Sequence, residues 1–170
     1  MAGTSPPPAR IEPGQGQESA WDYPRPPRVE PVAERVRVVV DGIDVASSTS
    51  ALRVLETAGA PVYYVPREDL VTDVLRPSDH TSMCEWKGLA TYWSIVVPAG
   101  QPRRDAAWSY ERPKPGYESI AGHLAFYAWA VDAAWVGRER ATPQPGRFYG
   151  GWVTSKVVGP FKGEPGSEGW

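Results

Sequence analysis

Nineteen prolines and seventeen glycines punctuate this chain of 170 residues, and they leave only short runs in which regular structure can form. Such residues end elements and open turns. The runs between them are rich in β-branched and aromatic residues and recur about every ten positions, which is the pattern of a mainly β protein. Val36-Arg37-Val38-Val39-Val40 is β-branched, Asp41-Gly42 is a hairpin turn signal, and the strand resumes from Ile43 to Ala46. Leu52 to Thr57 and Pro61 to Val65 flank Ala58-Gly59-Ala60 and read as a second hairpin, although Leu52 to Glu56 also fits a helical turn. Pro66-Arg67-Glu68-Asp69 breaks the pattern, with Asp69 placed to cap a short turn over Leu70 to Leu75. Thr81 to Trp86 and Leu89 to Val97 read as two more strands, followed by Ala106 to Glu111 and by Leu124 to Trp135. The last of these also passes for a helix, because its period is not set by the mixed spacing of Ala, Phe and Trp. The expected fold is a sandwich or open barrel of antiparallel sheets.

The ends differ from the middle. Residues 1–28 hold Pro6, Pro7, Pro8, Pro13, Pro24, Pro26 and Pro27 with few aliphatics. Most of that segment cannot bury enough surface to offset its ordering entropy, so it is expected to be largely disordered. Trp21-Asp22-Tyr23-Pro24-Arg25-Pro26-Pro27 is the exception, two aromatics on a stiff polyproline-like frame able to dock back. A single β domain is expected over 29–140, with a Gly-, Pro- and Trp-rich tail over 141–170 packing on it.

Formal net charge is -2, with both signs mixed along the chain. No basic stripe suited to a phosphate backbone is present, so nucleic acid is not expected as a partner. One cysteine excludes an internal disulfide and a Cys-rich zinc site, in keeping with a reducing cytoplasm. There is no apolar signal core and no stretch near the roughly 18 apolar residues of a membrane span, so a soluble protein with no membrane partner is expected. No P-loop, dinucleotide-binding glycine fingerprint or nucleophile elbow occurs, and nothing names a cofactor or sets the oligomeric state.

Chemistry concentrates in Cys84-Glu85-Trp86-Lys87-Gly88 and the following Ala90-Thr91-Tyr92-Trp93-Ser94. On a continuous strand Cys84, Trp86 and Gly88 share one face while Glu85, Lys87 and Leu89 share the other. A bulge at Gly88 would release Tyr92 and Trp93 from that alternation. Lysine beside indoles suits a flat ligand with an anionic group, the ammonium meeting the charge and the ring stacking. The competing reading makes Trp86 and Trp93 core and Lys87 a solvated charge. Cys84 is a candidate nucleophile if a base or cation acidifies it, and otherwise a small buried hydrophobe.

Tyr63 and Tyr64 face opposite sides of a strand, one toward the core and one free to line a cleft. Trp108 and Tyr110 share a face, as core or as part of an aromatic cage. Asp69 and His123 are further acid/base candidates, set against a helix cap and a structural histidine. No metal site is expected from two histidines and one cysteine. Asp41-Gly42-Ile43-Asp44 is explained as a hairpin turn.

In combination, several of these motifs resemble the bacterial and fungal family known as domain of unknown function 427. They are Tyr63-Tyr64-Val65-Pro66-Arg67-Glu68-Asp69, the run from Cys84 to Trp93, Trp108-Ser109-Tyr110, Ala125-Phe126-Tyr127 and Phe148-Tyr149-Gly150-Gly151-Trp152. The resemblance extends from about Trp21 to Trp170. It implies a β-tent of the Mss4 type, two antiparallel sheets pinned at one edge, here without the paired cysteines that clasp zinc in other members of that class. The family carries a nucleotidyltransferase label. That chemistry uses a Gly-Ser turn followed by paired acidic residues holding magnesium, an arrangement this sequence does not show. Tyr64, Cys84, Trp86, Lys87, Tyr92, Trp93 and Trp108 fall within the recurring motifs, which implies a ligand pocket. The first expectation is therefore a small anionic or carbonyl-bearing ligand in an aromatic-lined pocket. The alternative is a protein-interaction module acting through its Pro-rich and Trp-containing termini.

Overall fold

The computed structural model describes residues 9–170. Pro6, Pro7 and Pro8 lie outside the described residues. Every regular element among the described residues is a strand or a single 3₁₀ turn. The mainly β expectation holds, but the strands form five sheets rather than two, one of them a parallel pair.

One four-stranded sheet runs in the order Glu139–Arg140, Ala133–Val136, Val36–Val40, Ile43–Ser48. The hairpin at one edge of this sheet turns at Asp41 and Gly42, both at positive φ (49° and 76°), the geometry a two-residue turn needs to match the twist of its strands. Val36, Val38 and Val40 point into the core, while Arg37 faces out and pairs with Asp44 at 3.1 Å.

Leu52–Leu55 and Val62–Tyr64 form the second hairpin, and Arg28–Pro31 pairs with its outer edge. That pairing settles Leu52–Leu55 as strand, because its backbone groups bond sideways rather than along a helix. A second four-stranded sheet runs Leu124–Phe126, Arg103–Ser109, Gly88–Ile95, Leu75–Cys84. Val65 and Leu124 exchange backbone hydrogen bonds of 2.8 and 2.9 Å, so the three-stranded sheet continues into this one. The join brings Tyr64 beside the strand that carries Trp108.

Three expectations change. The strand taken to span Thr81 to Trp86 runs instead over Leu75–Cys84, with a register shift between Pro77 and Thr81, and Trp86 lies in the loop beyond it. Asp69 caps nothing: the 3₁₀ turn Thr72–Val74 starts after Val71 with no side-chain cap, and Asp69 accepts a 2.6 Å hydrogen bond from the buried Ser48 hydroxyl. Leu124 to Trp135 divides into two strands, Leu124–Phe126 and Ala133–Val136, separated by the one-turn segment Ala128–Ala130.

Residues 18–20, read from composition as part of a loose segment, are paired and packed, and the Trp21 segment docks back onto the domain. Glu18–Ser19 bonds in parallel to Val157–Val158, and Tyr23 is buried with Leu55 and Phe161. The Trp21 indole donates to the Pro160 carbonyl at 2.8 Å and meets the Trp170 ring at 5.5 Å. The tail supplies the backbone partners and apolar surface that the N-terminal segment lacks by itself.

The main core lies under the two large sheets and is closed by Trp152, which is 1% exposed. Its indole donates to the Phe126 carbonyl at 2.8 Å and its ring packs on Tyr63 at 5.1 Å. A second, aromatic cluster around Tyr64, Tyr92, Trp108 and Tyr110 is separate from that core.

Candidate functional site

Cys84 pairs with Gly88 across the hairpin, which leaves Glu85, Trp86 and Lys87 as a three-residue loop. Gly88 has φ 106°, a conformation glycine accepts readily and other residues do not. Lys114 holds the loop, its backbone N–H donating to the Lys87 carbonyl at 2.9 Å and its ammonium to the Glu85 carbonyl at 3.0 Å. Strand alternation therefore stops at Cys84, and the expectation that Lys87 faces away from Cys84 fails. Both line one cleft, and the Lys87 ammonium lies 5.6 Å from the Tyr110 ring centre.

That cleft has a volume of about 810 Å³. Its floor is the aromatic cluster, built from alternate residues of neighbouring strands. Trp108 meets Tyr64 edge-on at 6.4 Å, with its indole N–H 3.4 Å from the Tyr64 hydroxyl, and packs on Tyr127 at 4.6 Å. His80, Ser82 and Cys84 face the cleft from alternate positions of one strand. Tyr92 reaches across to them: its hydroxyl is 2.8 Å from Ser82 Oγ and its ring 4.3 Å from that of His80.

The opposite wall comes from distant parts of the chain. Gln144 accepts from the Ala60 N–H and donates to the Lys162 carbonyl, both at 3.0 Å, tying the tail to the second hairpin. The tail then passes over the floor at Gly150, where an added Cβ would lie 2.8 Å from Trp108 Cζ2. This close approach requires glycine.

Burial pushes the Tyr64, Tyr110 and Tyr127 phenols upward, so each stays a neutral hydroxyl at ordinary pH. Burial works against the Lys87 ammonium, but Tyr64, Cys84 and Glu56 around it more than offset this and its pKa is raised. Lys87 therefore carries full charge at neutral pH. Among the described residues it forms no ion pair. Also among the described residues, no three His, Cys, Asp or Glu side chains cluster to hold a metal ion. Asp41 and Asp44 instead pair with Arg103 and Arg37.

Of the residues singled out from sequence, Tyr64, Cys84, Trp86, Lys87, Tyr92 and Trp108 line this one cleft, and so does Tyr110. Trp93 does not. As the neighbour of Tyr92 it faces the other way, packing on the main core with its indole donating to Ser109 Oγ at 3.0 Å and Arg67 over its ring at 4.6 Å. Asp69 is held by Ser48 as described. His123 is half-exposed, with Nδ1 3.2 Å from the Ala121 carbonyl, and it also lies outside the cleft.

Sequence reasoning noted His80 four residues before Cys84 without fixing a contact, and it missed Ser82, Tyr127 and the wall formed by Arg25, Arg147 and Lys162. His80 and Ser82 stand four and two residues before Cys84, a spacing that on a strand puts all three on one face. No local signal connects Arg25 or Lys162 with Lys87.

The family described as domain of unknown function DUF427 matches residues 28–137. The chain belongs to that family. The match carries the nucleotidyltransferase label and includes the aromatic floor and the Cys84–Gly88 loop. It is shorter than the span from Trp21 to Trp170 over which the resemblance was read, leaving Arg25, the Phe148–Trp152 motif and Lys162 outside. No curated protein matches the chain.

Proposed function

We propose that this DUF427 chain binds a small, flat ligand carrying an anionic or carbonyl group in the cleft over Trp108. The observation that carries this reading is Lys87: a full positive charge without an ion pair, beside the Tyr110 ring, in an aromatic-walled cleft of about 810 Å³. A bound anion would pair directly with this ammonium, which no carboxylate does among the described residues. Trp86 and Trp108 offer stacking surface, and the neutral hydroxyls of Tyr64 and Tyr110 serve as donors to a carbonyl or anionic oxygen. Of the three side chains picked for chemistry, only Cys84 lines the cleft, so the reading is a binding site with Cys84 as its one nucleophile rather than an assigned reaction. It includes a cytoplasmic protein with a small-molecule partner and no nucleic acid or membrane. We also read the two larger sheets as the faces of a Mss4-type β-tent, a β domain over 29–140 with the 141–170 tail packed on it. Trp21 and Trp170 cover one another, which favours this reading over a module that offers both rings to a partner.

The test is thermal unfolding of the purified protein against nucleotides, sugar phosphates, aromatic carboxylates and cyclic amides. A ligand at a hundred times its Kd adds about 2.7 kcal/mol, which raises the midpoint by several degrees. Lys87→Met is expected to abolish the shift while leaving the fold intact. Unchanged affinity in that variant overturns the assignment.

A further inference from the structure

The far wall of the cleft carries charge of its own. Arg25, Arg147 and Lys162 line it, against the carboxylates of Glu56 and Glu85, in a chain whose net charge is negative. None of these three cations is in an ion pair among the described residues. Arg147 is taken up by the ring of Trp129, 5.1 Å from its centre. Arg25 and Lys162 are different. They come from opposite ends of the chain, and the fold brings both to the same turn beside the cleft, the Arg25 guanidinium at the Thr57 carbonyl and the Lys162 backbone at the Ala58 carbonyl. Among the described residues the Arg25 side chain makes one hydrogen bond, to the Thr57 carbonyl at 3.3 Å. Lys162 is half-buried, and its backbone is pinned at both ends, the N–H donating to Ala58 at 2.9 Å and the carbonyl accepting from Gln144 at 3.0 Å. Glu56 and Glu85 lie within electrostatic reach of Lys162, but neither forms an ion pair with Arg25 or Lys162 among the described residues, so an anion placed between the two cations gains direct charge-assisted contacts that no carboxylate supplies.

Resting on the ligand reading above, we infer that Arg25 and Lys162 form a second anion subsite, so that the cleft takes an aromatic ligand with two separated anionic groups, one at Lys87 and one at this pair. A divalent group such as a phosphate fits a paired arginine and lysine, the guanidinium supplying a fork of donors and the ammonium a point charge. Both residues lie outside the span that matches the family, 28–137. The first anion site and the stacking floor thus belong to the shared domain, whereas the second site is built by this chain's own ends. Glu56 lies within electrostatic reach of Lys87 and of Lys162, and sets an acidic divider between the two sites.

Isothermal titration at low ionic strength tests this with three stable probes: phenylphosphonate, para-phenylene diphosphonate and its longer biphenyl homologue. At least one diphosphonate is expected to bind roughly tenfold or more tighter than phenylphosphonate, the return of one added charge-assisted contact. Arg25→Gln and Lys162→Gln together should reduce that advantage to within about twofold, at an unchanged unfolding midpoint. Glu56→Gln should tighten diphosphonate binding several-fold, a gain that misfolding cannot produce. Diphosphonates that bind no tighter than phenylphosphonate, or an advantage that survives in the double variant, overturn the second subsite. Loss of all binding in Lys87→Met with no effect at Arg25 and Lys162 leaves the ligand reading standing and refutes this one. The converse, loss at Arg25 and Lys162 with none at Lys87, upholds the subsite and refutes the role of Lys87.

Discussion

Gly150→Ala probes the junction of tail and floor with one methyl group. The new Cβ would lie 2.8 and 2.9 Å from Cζ2 and Cζ3 of Trp108 and closer still to Cη2. Trp108 cannot withdraw: it is 6% exposed, its N–H is 3.4 Å from the Tyr64 hydroxyl, and Tyr127 packs on it at 4.6 Å. The tail must lift instead, which strains its anchor at Gln144. Overpacking of this kind costs about 1–3 kcal/mol, or roughly 2 to 12 °C in the unfolding midpoint of a chain this size. The assay is a thermal double-mutant cycle with Trp108→Leu, which removes the ring tip that the methyl group meets. Trp108→Leu alone should be strongly destabilising, but Gly150→Ala added to it should cost almost nothing, a coupling of about 1–3 kcal/mol. A Gly150→Ala midpoint within a degree of the parent, or an equal cost in both backgrounds, refutes the reasoning.

Lys87→Met should leave stability within about 1 kcal/mol of the parent in denaturant unfolding, because it keeps the apolar stem and removes a charge that forms no ion pair among the described residues; a clear loss would mean that Lys87 is structural. Trp152→Phe deletes the indole donor to the Phe126 carbonyl in the main core and should cost about 1–3 kcal/mol in urea unfolding. Burial pushes the Tyr63 phenol from 10.0 up to about 12. The folded state therefore holds its proton more tightly than the unfolded chain, so this stabilisation is complete below about pH 10 and is lost as pH rises towards 12. The full effect is about 3 kcal/mol. Tyr63→Phe should flatten the stability–pH curve over that interval, and an unchanged slope would rule out Tyr63 as a source.

Where structure depends on neighbours along the chain, the residues alone determined the outcome. The Val36–Ser48 hairpin follows from alternating valines and an Asp-Gly pair that tolerates positive φ, whereas Leu52 to Glu56 fitted both strand and helical turn until pairing with Arg28–Pro31 and Val62–Tyr64 made Leu52–Leu55 a strand. The aromatic, lysine and cysteine content of the site was also legible, since Tyr64, Cys84, Trp86, Lys87, Tyr92, Trp108 and Tyr110 meet in one cleft. Which way each side chain points was not. Lys87 joins Cys84 because a three-residue loop replaces strand there, and Trp93 turns to the core because its neighbour Tyr92 takes the cleft. Asp69 and His123 carry suitable chemistry but were placed elsewhere by the Ser48 hydroxyl and by the turn that precedes Leu124. The far wall is a purely tertiary product: Arg25 and Lys162 approach only after Glu18–Ser19 pairs with Val157–Val158 and Gln144 ties the tail to Ala60. Turn chemistry and alternation act over a few residues and so can be read along the chain. Contacts across more than a hundred residues exist only once the loops between them have closed and the buried surface has offset the entropy of closing them.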